Sequence, residues 1–242
     1  MFLYGFHPIR EALRHRPHEV ARVLVSASRA GARRAEIEEA CRRHRVPCQV
    51  VGERELSALA GKVHNGFAAE VRTEAGGVVA AAGDPELVVL LEDVQDPRNL
   101  GALLRVCEGA GVGEVLIRDR GSAPVSPTVA KTSAGASEWL AIERMPNSGT
   151  EIERRKKDGF WVYGTDAGGE PPWEIDLSGK VVLCFGGEEK GLRSRTRQLC
   201  DRTIGLPMGG RVDSLNIATA AAAILYEAVR QRSGLRGKGE SR

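Results

Sequence analysis

Histidine is missing from the larger part of this chain. All five histidines fall within the first 72 residues; they are His7, His15, His18, His44 and His64. This distribution excludes a Ser-His-Asp hydrolase and a histidine-ligated metal site in the rest of the chain. The five cysteines form no Cys-x-x-Cys pair, so neither a zinc knuckle nor a thioredoxin motif is indicated. We expect reduced, structural thiols and no bound metal.

Long apolar runs and nucleotide-binding glycine motifs are absent as well. No apolar stretch approaches the ~20 residues of a membrane span, and the first residues carry charge too early for a secretory signal. We therefore expect a cytoplasmic protein with no membrane partner. Neither G-x-G-x-x-G nor a Walker A loop occurs. The strand predicted at 87–94 leads into QDPRN, a loop without glycine, which argues against a Rossmann-type methyltransferase or dehydrogenase.

Excess positive charge is confined to the N-terminal part. Residues 1–72 hold 13 Lys and Arg against 8 Asp and Glu, whereas residues 85–242 hold 22 of each. A basic module beside a neutral one indicates that the first module meets a polyanion. The alternative interpretation is a solvated, Arg-rich helix face. Aromatic residues are scarce in this module, so contacts to backbone and shape are expected to outweigh stacking on bases.

Short β-type runs alternate with helical patterns throughout, which is typical of α/β architecture. Residues 1–73 are predicted to form a small α/β/α domain with strands near 2–5, 21–27, 47–52 and 67–73, and the Gly/Ala-rich segment 74–85 a linker. Residues 86–232 are predicted to form the larger α/β domain. After the strand at 87–94, its further strands are predicted in EVLIRD, WLAIERM, FWVYGTDA, VVLCFGG and TIGLPM. Its last helix is predicted to start at Ser214 and to end at 232, and the polar residues 233–242 are predicted to be disordered.

Three loops of the larger domain follow predicted strands, where ligands bind in open α/β sheets. The first, DPRNLGALLR, carries Asn99 near a helix start and Arg105 among apolar neighbours. The second, FGGEEKGLR, combines three glycines with Glu188. The third, LPMGGRVDSLN, ends with Ser214 and Asn216 at the start of the last helix. Each loop presents polar groups that suit a ligand site.

Each loop also has a purely structural interpretation. Asn99 suits a helix cap, and Arg105 can extend along the surface to reach solvent. The glycines of the second loop can form an ordinary tight turn. Ser214 or Asp213 can simply cap the last helix.

Taken together and in this order, the loops resemble the three motifs of the SpoU (TrmH-like) branch of the SPOUT RNA methyltransferases. The matching segments are NLGALLR at 99–105, GGEEKGL at 186–192, and LPM with SLN between 206 and 216; KTSAGA at 131–136 resembles a secondary segment. The first module resembles the family's ribosomal-protein-like RNA-binding domain. Its LYGFHP and HNGFAAE segments resemble the bacterial large-subunit rRNA guanosine-2′-O-methyltransferase (RlmB-type) subfamily, in which Gln usually occupies the position of Asn65.

The resemblance implies a SPOUT α/β domain with a deep C-terminal trefoil knot, a homodimer built through that domain, and S-adenosylmethionine as the cofactor. The residues expected at the cofactor are Gly186, Leu206, Leu215, Thr165, Gly187 and Met208. Those expected at the catalytic site are Arg105, Asn99, Glu188, Ser214 and Asn216. Arg105 is expected to activate the ribose hydroxyl or to stabilise the developing alkoxide, and Asn99 and Glu188 to hold Arg105 and the loops.

The resemblance also implies a substrate. We expect 2′-O-methylation of a guanosine in domain V of large-subunit 23S rRNA, with ribosomal RNA as the partner. The alternatives are a tRNA guanosine, an rRNA adenosine, or a non-catalytic RNA-binding protein of the same fold. The last alternative is disfavoured because such a protein is expected to lose Arg105, Glu188 or Asn216, and all three are present.

Overall fold

A computed structural model describes residues 2–60, 64–72, 83–188 and 190–236. The N-terminal module contains a four-stranded sheet in the order β1-β4-β2-β3, in which β2 and β3 are parallel and the other neighbours antiparallel. Its strands are β1 (Phe2–Tyr4), β2 (Val20–Ser26), β3 (Cys48–Val51) and β4 (Phe67–Val71). Its helices are α1 (Phe6–His15), α2 (Ala32–His44) and α3 (Glu53–Ala60). All four predicted strands are confirmed.

The segment before β4 accommodates the unusual asparagine. Asn65 adopts φ +49°, in the left-handed region that asparagine tolerates better than most residues. The buried His64 accepts a hydrogen bond from the Gly66 amide at 2.9 Å and contacts the Ser57 hydroxyl at 3.0 Å. Local hydrogen bonding therefore holds this turn.

The second sheet contains six parallel strands in the order β10-β8-β9-β5-β6-β7. They are β5 (Asp84–Leu91), β6 (Val112–Arg118), β7 (Ala141–Met145), β8 (Trp161–Glu170), β9 (Val181–Phe185) and β10 (Arg202–Ile204). The helices are α4 (Pro97–Gly109), α5 (Pro127–Thr132), α6 (Ser148–Lys157), α7 (Ser194–Leu199) and α8 (Ile217–Arg236). The α/β prediction and the predicted strands of the larger domain are confirmed.

Helices cover both faces of this parallel sheet, as its apolar strands require. On one face, Leu87, Val89 and Leu91 pack with residues of α4 and α8. On the other face, Val88 and Leu90 pack with residues of α6 and of the segment around α7. None of the helices among residues 2–60, 64–72, 83–188 and 190–236 is long and apolar enough to cross a membrane.

Several predicted boundaries were wrong. Helix α4 begins at Pro97 with Asp96 as its cap, because the Asp96 carboxylate accepts the Arg98 amide at 2.8 Å; Asn99 is already inside the helix. Helix α8 begins at Ile217 instead of Ser214, because the Asn216 side chain accepts the Ala218 amide at 2.9 Å.

The same helix continues to Arg236, so residues 233–236, predicted to be disordered, are helical. Residues 237–242 lie outside the described residues, as do 73–82, which include most of the predicted linker. Strand β5 begins at Asp84, within the last two residues of that linker.

The two modules contact each other through polar groups. Arg16 of the first module forms a buried ion pair with Glu138 at 2.6 Å. The Trp139 indole donates to Glu11 at 3.0 Å, and its ring lies 4.7 Å from that of His15. These contacts place α1 against the segment that follows α5.

Candidate active site

A cavity of about 560 Å³ lies at the carboxyl ends of β8, β9 and β10. Its walls come from residues 165–167 of β8, the glycine-rich loop after β9, the loop from β10 into α8, and residues of α7 and α8. The sheet therefore directs the second and third predicted loops to one place. The volume falls in the range of small-molecule sites, about 300–1,000 Å³.

All six residues predicted to contact the cofactor line this cavity. They are Thr165, Gly186, Gly187, Leu206, Met208 and Leu215. Sequence reasoning missed other lining residues, notably Asp166 and Arg197, which form an ion pair at 2.5 Å. The position of Asp166 directly after Thr165 was the available signal for the first of these; nothing marked Arg197, which lies on α7.

Glycines let the backbone form the cavity walls. A Cβ added to Gly186 would lie 2.0 Å from the carbonyl carbon of Gly191, and one added to Gly205 would lie 2.5 Å from the carbonyl oxygen of Asp166. Gly191 itself adopts φ +61°. Only glycine allows such close approach, so main-chain amides and carbonyls are brought to the cavity.

A chain of side-chain hydrogen bonds joins all three predicted loops. The Asn99 amide donates to the Glu188 carboxylate, and the Asn216 amide donates to the Asn99 carbonyl oxygen at 3.1 Å. Asn216 also caps α8 through its own side-chain oxygen. Ser214 lines the cavity, is exposed, and contacts Asp213 at 3.4 Å.

Arg105 lies apart from this chain. It is the ninth residue of α4 and is exposed. Six residues separate it from Asn99, which corresponds to about 9 Å along the axis and a different face of the helix. Asn99 and Glu188 bond to each other and not to Arg105. The expectation that they hold Arg105 was therefore wrong within a single chain. Across the described ranges Arg105 forms no ion pair and does not line the cavity.

The strand beside the cavity ends in a buried carboxylate. Glu92, directly after β5, accepts the Thr196 hydroxyl at 2.7 Å and the Arg193 amide at 3.2 Å. The Arg193 guanidinium binds Asp93 at 2.8 Å, and this hydrogen bond raises the pKa of Arg193. These contacts fasten the end of the glycine-rich loop and the start of α7 to the centre of the sheet.

The cavity has the chemical character that S-adenosylmethionine requires. Phe185, Ile217 and Ile224 give an apolar wall, and the glycines expose main-chain groups. The Glu188, Asp166 and Asp213 carboxylates line the cavity together with the cations Lys190 and Arg197, and Asp166 is paired with Arg197. No cluster of three or more His, Cys, Asp or Glu that suits a metal ion occurs in the part of the chain that the structure describes.

Two family models match the chain. The SpoU rRNA methylase family matches residues 86–226, and the RNA 2′-O ribose methyltransferase substrate-binding family matches residues 2–75. A 23S rRNA (guanosine-2′-O-)-methyltransferase RlmB from Xanthomonas axonopodis pv. citri is 38% identical, over 96% of this chain and 97% of the relative. One from Pseudomonas putida is 36% identical, over 95% and 96%.

Solved structures agree with these matches. The SpoU methyltransferase AviRb from Streptomyces viridochromogenes, crystallised with AdoMet, superposes with a TM-score of 0.81 at 28% identity, covering 96% of this chain and 90% of that one. The Aquifex aeolicus TrmH/SpoU tRNA modifying enzyme gives a TM-score of 0.60 at 27% identity and covers 65% of this chain and 80% of that one.

Proposed function

The chain belongs to the SpoU rRNA methylase family, and we propose that it methylates the ribose 2′-hydroxyl of a guanosine in 23S rRNA, with S-adenosylmethionine as donor. The observation that carries this proposal is the chain from Glu188 through Asn99 to Asn216, which joins all three motif loops beside the cavity. We assign residues 1–73 to substrate binding and 86–232 to catalysis, connected by 74–85. Because the substrate is rRNA, we place the enzyme in the cytoplasm.

The cavity would hold the cofactor mainly through its backbone. Gly186, Gly187, Leu206 and Leu215 offer main-chain groups, and Thr165 and Met208 complete the contact surface. Bound there, S-adenosylmethionine supplies an electrophilic methyl carbon. The new bond forms between the ribose oxygen and that carbon as the carbon–sulfur bond breaks, and the hydroxyl proton is released. The chain's contribution is to position the ribose and to stabilise charge on its oxygen.

Arg105 is the group best suited to stabilise that oxygen. A guanidinium remains protonated in almost any environment, so charge stabilisation suits it better than proton abstraction. Since Arg105 does not line the cavity of its own chain, we propose a homodimer in which Arg105 of each chain serves the cavity of the other. Asn99, Glu188, Ser214 and Asn216 are proposed to shape the cavity rim.

The knot is proposed from the family alone.

Mixed dimers test the shared site. Arg105→Ala and Asn216→Ala are each expected to be inactive, but co-refolded chains should regain about a quarter of wild-type activity, because half of the dimers then carry one intact composite site. Mixtures that stay inactive, although sedimentation shows mixed dimers, would contradict a site shared between chains.

The substrate is tested by incubating the enzyme and labelled cofactor with a protein-free domain V fragment of 23S rRNA and, separately, with total tRNA. We expect label in a single guanosine of the fragment. The tRNA alternative is supported by the likeness to tRNA-modifying enzymes such as that of A. aeolicus, which covers 65% of the chain. Label in tRNA but not in the fragment would overturn the rRNA assignment.

A further inference from the structure

Basic side chains of both modules lie near the short helical turn Ala136–Glu138, against which both α1 and α4 pack. We name this cluster the basic seam; it consists of His7, Arg10, Arg33 and Arg105. His7 and Arg10 lie on α1, Arg33 is the second residue of α2, and Arg105 lies on α4. All except the half-buried Arg10 are exposed to solvent.

Phe6 organises the part of the seam that lies in the first module. The guanidinium carbons of Arg10 and Arg33 lie 5.5 and 5.3 Å from the centre of its ring. The His7 ring meets it edge-on, with centroids 5.1 Å apart. A phenyl ring so placed holds two cations and an imidazole around one point through cation–π and edge contacts.

The charges of the two modules act on one group. Partial burial lowers the pKa of His7, and the positive charges of Arg10, Arg33 and Arg105 lower it further, while Glu11 acts in the opposite direction. Arg105 of the second module is thus among the positive charges that act on His7 of the first.

Carboxylates pair with only some of the positive charges of the seam. Arg10 pairs with Glu11 at 2.6 Å and lies 4.0 Å from Glu36. Within the described ranges, Arg33 and Arg105 form no ion pair. Two exposed guanidinium groups without a carboxylate partner are suited to an external anion.

Contacts between the two modules hold the residues of the seam near one another. The buried pair of Arg16 and Glu138 and the hydrogen bond from Trp139 to Glu11 join the base of α1 to the second module. On the other side, the Tyr4 and Thr128 hydroxyls lie 3.0 Å apart. The seam is therefore a surface held in place by both modules.

We propose that the basic seam binds backbone phosphates of the RNA strand beside the nucleotide that is methylated. This inference rests on the proposed function and adds a residue-level role for the first module. Phosphate contacts fix the register of a nucleic acid without reading its bases, so the seam sets the position of the target relative to Arg105. His7 and Arg33 are positioning residues in this scheme.

The first test compares two arginines of α2. Arg33→Ala should weaken binding of the domain V fragment about 3- to 10-fold and reduce the slope of log affinity against log salt by about one. Arg43→Ala is the matched control: Arg43 is exposed on the same helix, about 15 Å further along the axis. S-adenosylmethionine affinity should be unchanged in both variants. Equal losses of RNA affinity in the two variants would overturn the proposal.

Single methylphosphonate substitutions in the fragment locate the contact. At one phosphate near the methylated guanosine, the neutral substitution should weaken binding to the wild-type enzyme but not weaken Arg33→Ala further. If the two losses add at every position, Arg33 touches no phosphate and the proposal is wrong. Failure of the proposed function is scored separately, by the absence of methyl transfer from the wild-type enzyme to any rRNA fragment.

A titration of His7 checks the geometry without RNA. Arg33→Ala should raise the pKa of His7 toward its ordinary value, because one nearby positive charge is removed. NMR of the imidazole measures this shift, and Arg43→Ala should leave it in place. An unchanged His7 titration in Arg33→Ala would show that the seam is not assembled.

Discussion

The two sheets of this protein differ in strand direction, and they therefore place their loops differently. In the parallel six-stranded sheet all strands run in the same direction, so residues 165–167 of β8 and the loops after β9 and β10 meet at one cavity. In the four-stranded sheet two of the three strand pairings are antiparallel, and strand ends are divided between both edges. Six of the 13 basic residues of this module lie on helices α1 and α2 instead. A convergent edge builds a cavity, whereas a mixed sheet presents an open, charged helical surface.

Removing Arg105 should separate chemistry from cofactor binding most sharply. Arg105→Ala is expected to lower the rate of methyl transfer by a factor of about 10²–10³ or more, because an electrostatic stabiliser of the reacting oxygen is lost. Cofactor affinity should stay within a few-fold, since the six residues expected at the cofactor lie on other segments. Single-turnover rates and calorimetry measure the two quantities; a near-normal rate would show that Arg105 has no part in the chemistry.

Breaking the buried contact between the modules should cost stability. Glu138→Ala leaves Arg16 buried with only the half-buried Glu19 as an acidic partner, and a loss of about 3 kcal/mol is expected in the free energy of unfolding. Glu70→Ala, which removes the exposed pair with Arg22, should cost less than about 1 kcal/mol. Urea unfolding compares the variants, and equal losses would mean that the buried pair does not join the modules.

Adding a side chain where two backbone segments approach each other at the cavity should affect only the binding of the cofactor. The added Cβ of Gly186→Ala meets Gly191 backbone, so the loop must shift. We expect S-adenosylmethionine affinity to fall by about 10- to 100-fold, as overpacking costs about 1–3 kcal/mol. Gly179→Ala, where the added Cβ meets open space, is the control. Unchanged affinity in Gly186→Ala would remove this loop from the cofactor site.

The sequence predicted the strands well because each is a short apolar run bounded by turn residues. The family's motifs also placed Asn99, Glu188 and Asn216 at one site, but they did not predict the hydrogen bonds among the three. The sequence failed on helix starts: Asp96 and Asn216 compete with neighbouring polar residues as caps, and composition does not decide between them.

The separation of Arg105 from the cavity follows from helix geometry and was not visible in the spacing of a motif. The contact between Arg16 and Glu138 joins residues far apart in the chain, and no local pattern marks it.

The smallest expected effect concerns an ion pair on α8. Hydrogen bonds from Arg230 lower the pKa of Glu227 to about 2. A lowered acid pKa stabilises the fold above the ordinary value, near 4.5, and this contribution is lost as pH falls toward about 2. Because solvent screens the pair, Glu227→Gln should cost less than about 1 kcal/mol at pH 7 and less again at pH 3.

Unfolding in urea at both pH values measures that difference. Glu55→Gln, at an exposed carboxylate of α3, is the control for loss of a surface charge elsewhere. A cost of Glu227→Gln that grows toward acid pH would reverse the sign of this assignment.

The central claim, methyl transfer to a ribose oxygen in 23S rRNA, is tested most directly by deleting one atom of the substrate. A domain V fragment is prepared with 2′-deoxyguanosine at the mapped nucleotide and incubated with the enzyme and methyl-labelled S-adenosylmethionine. The account predicts that the fragment still binds but accepts no label, whereas the unmodified fragment is labelled. Equal labelling of both fragments would place the methyl group on another atom and contradict the account.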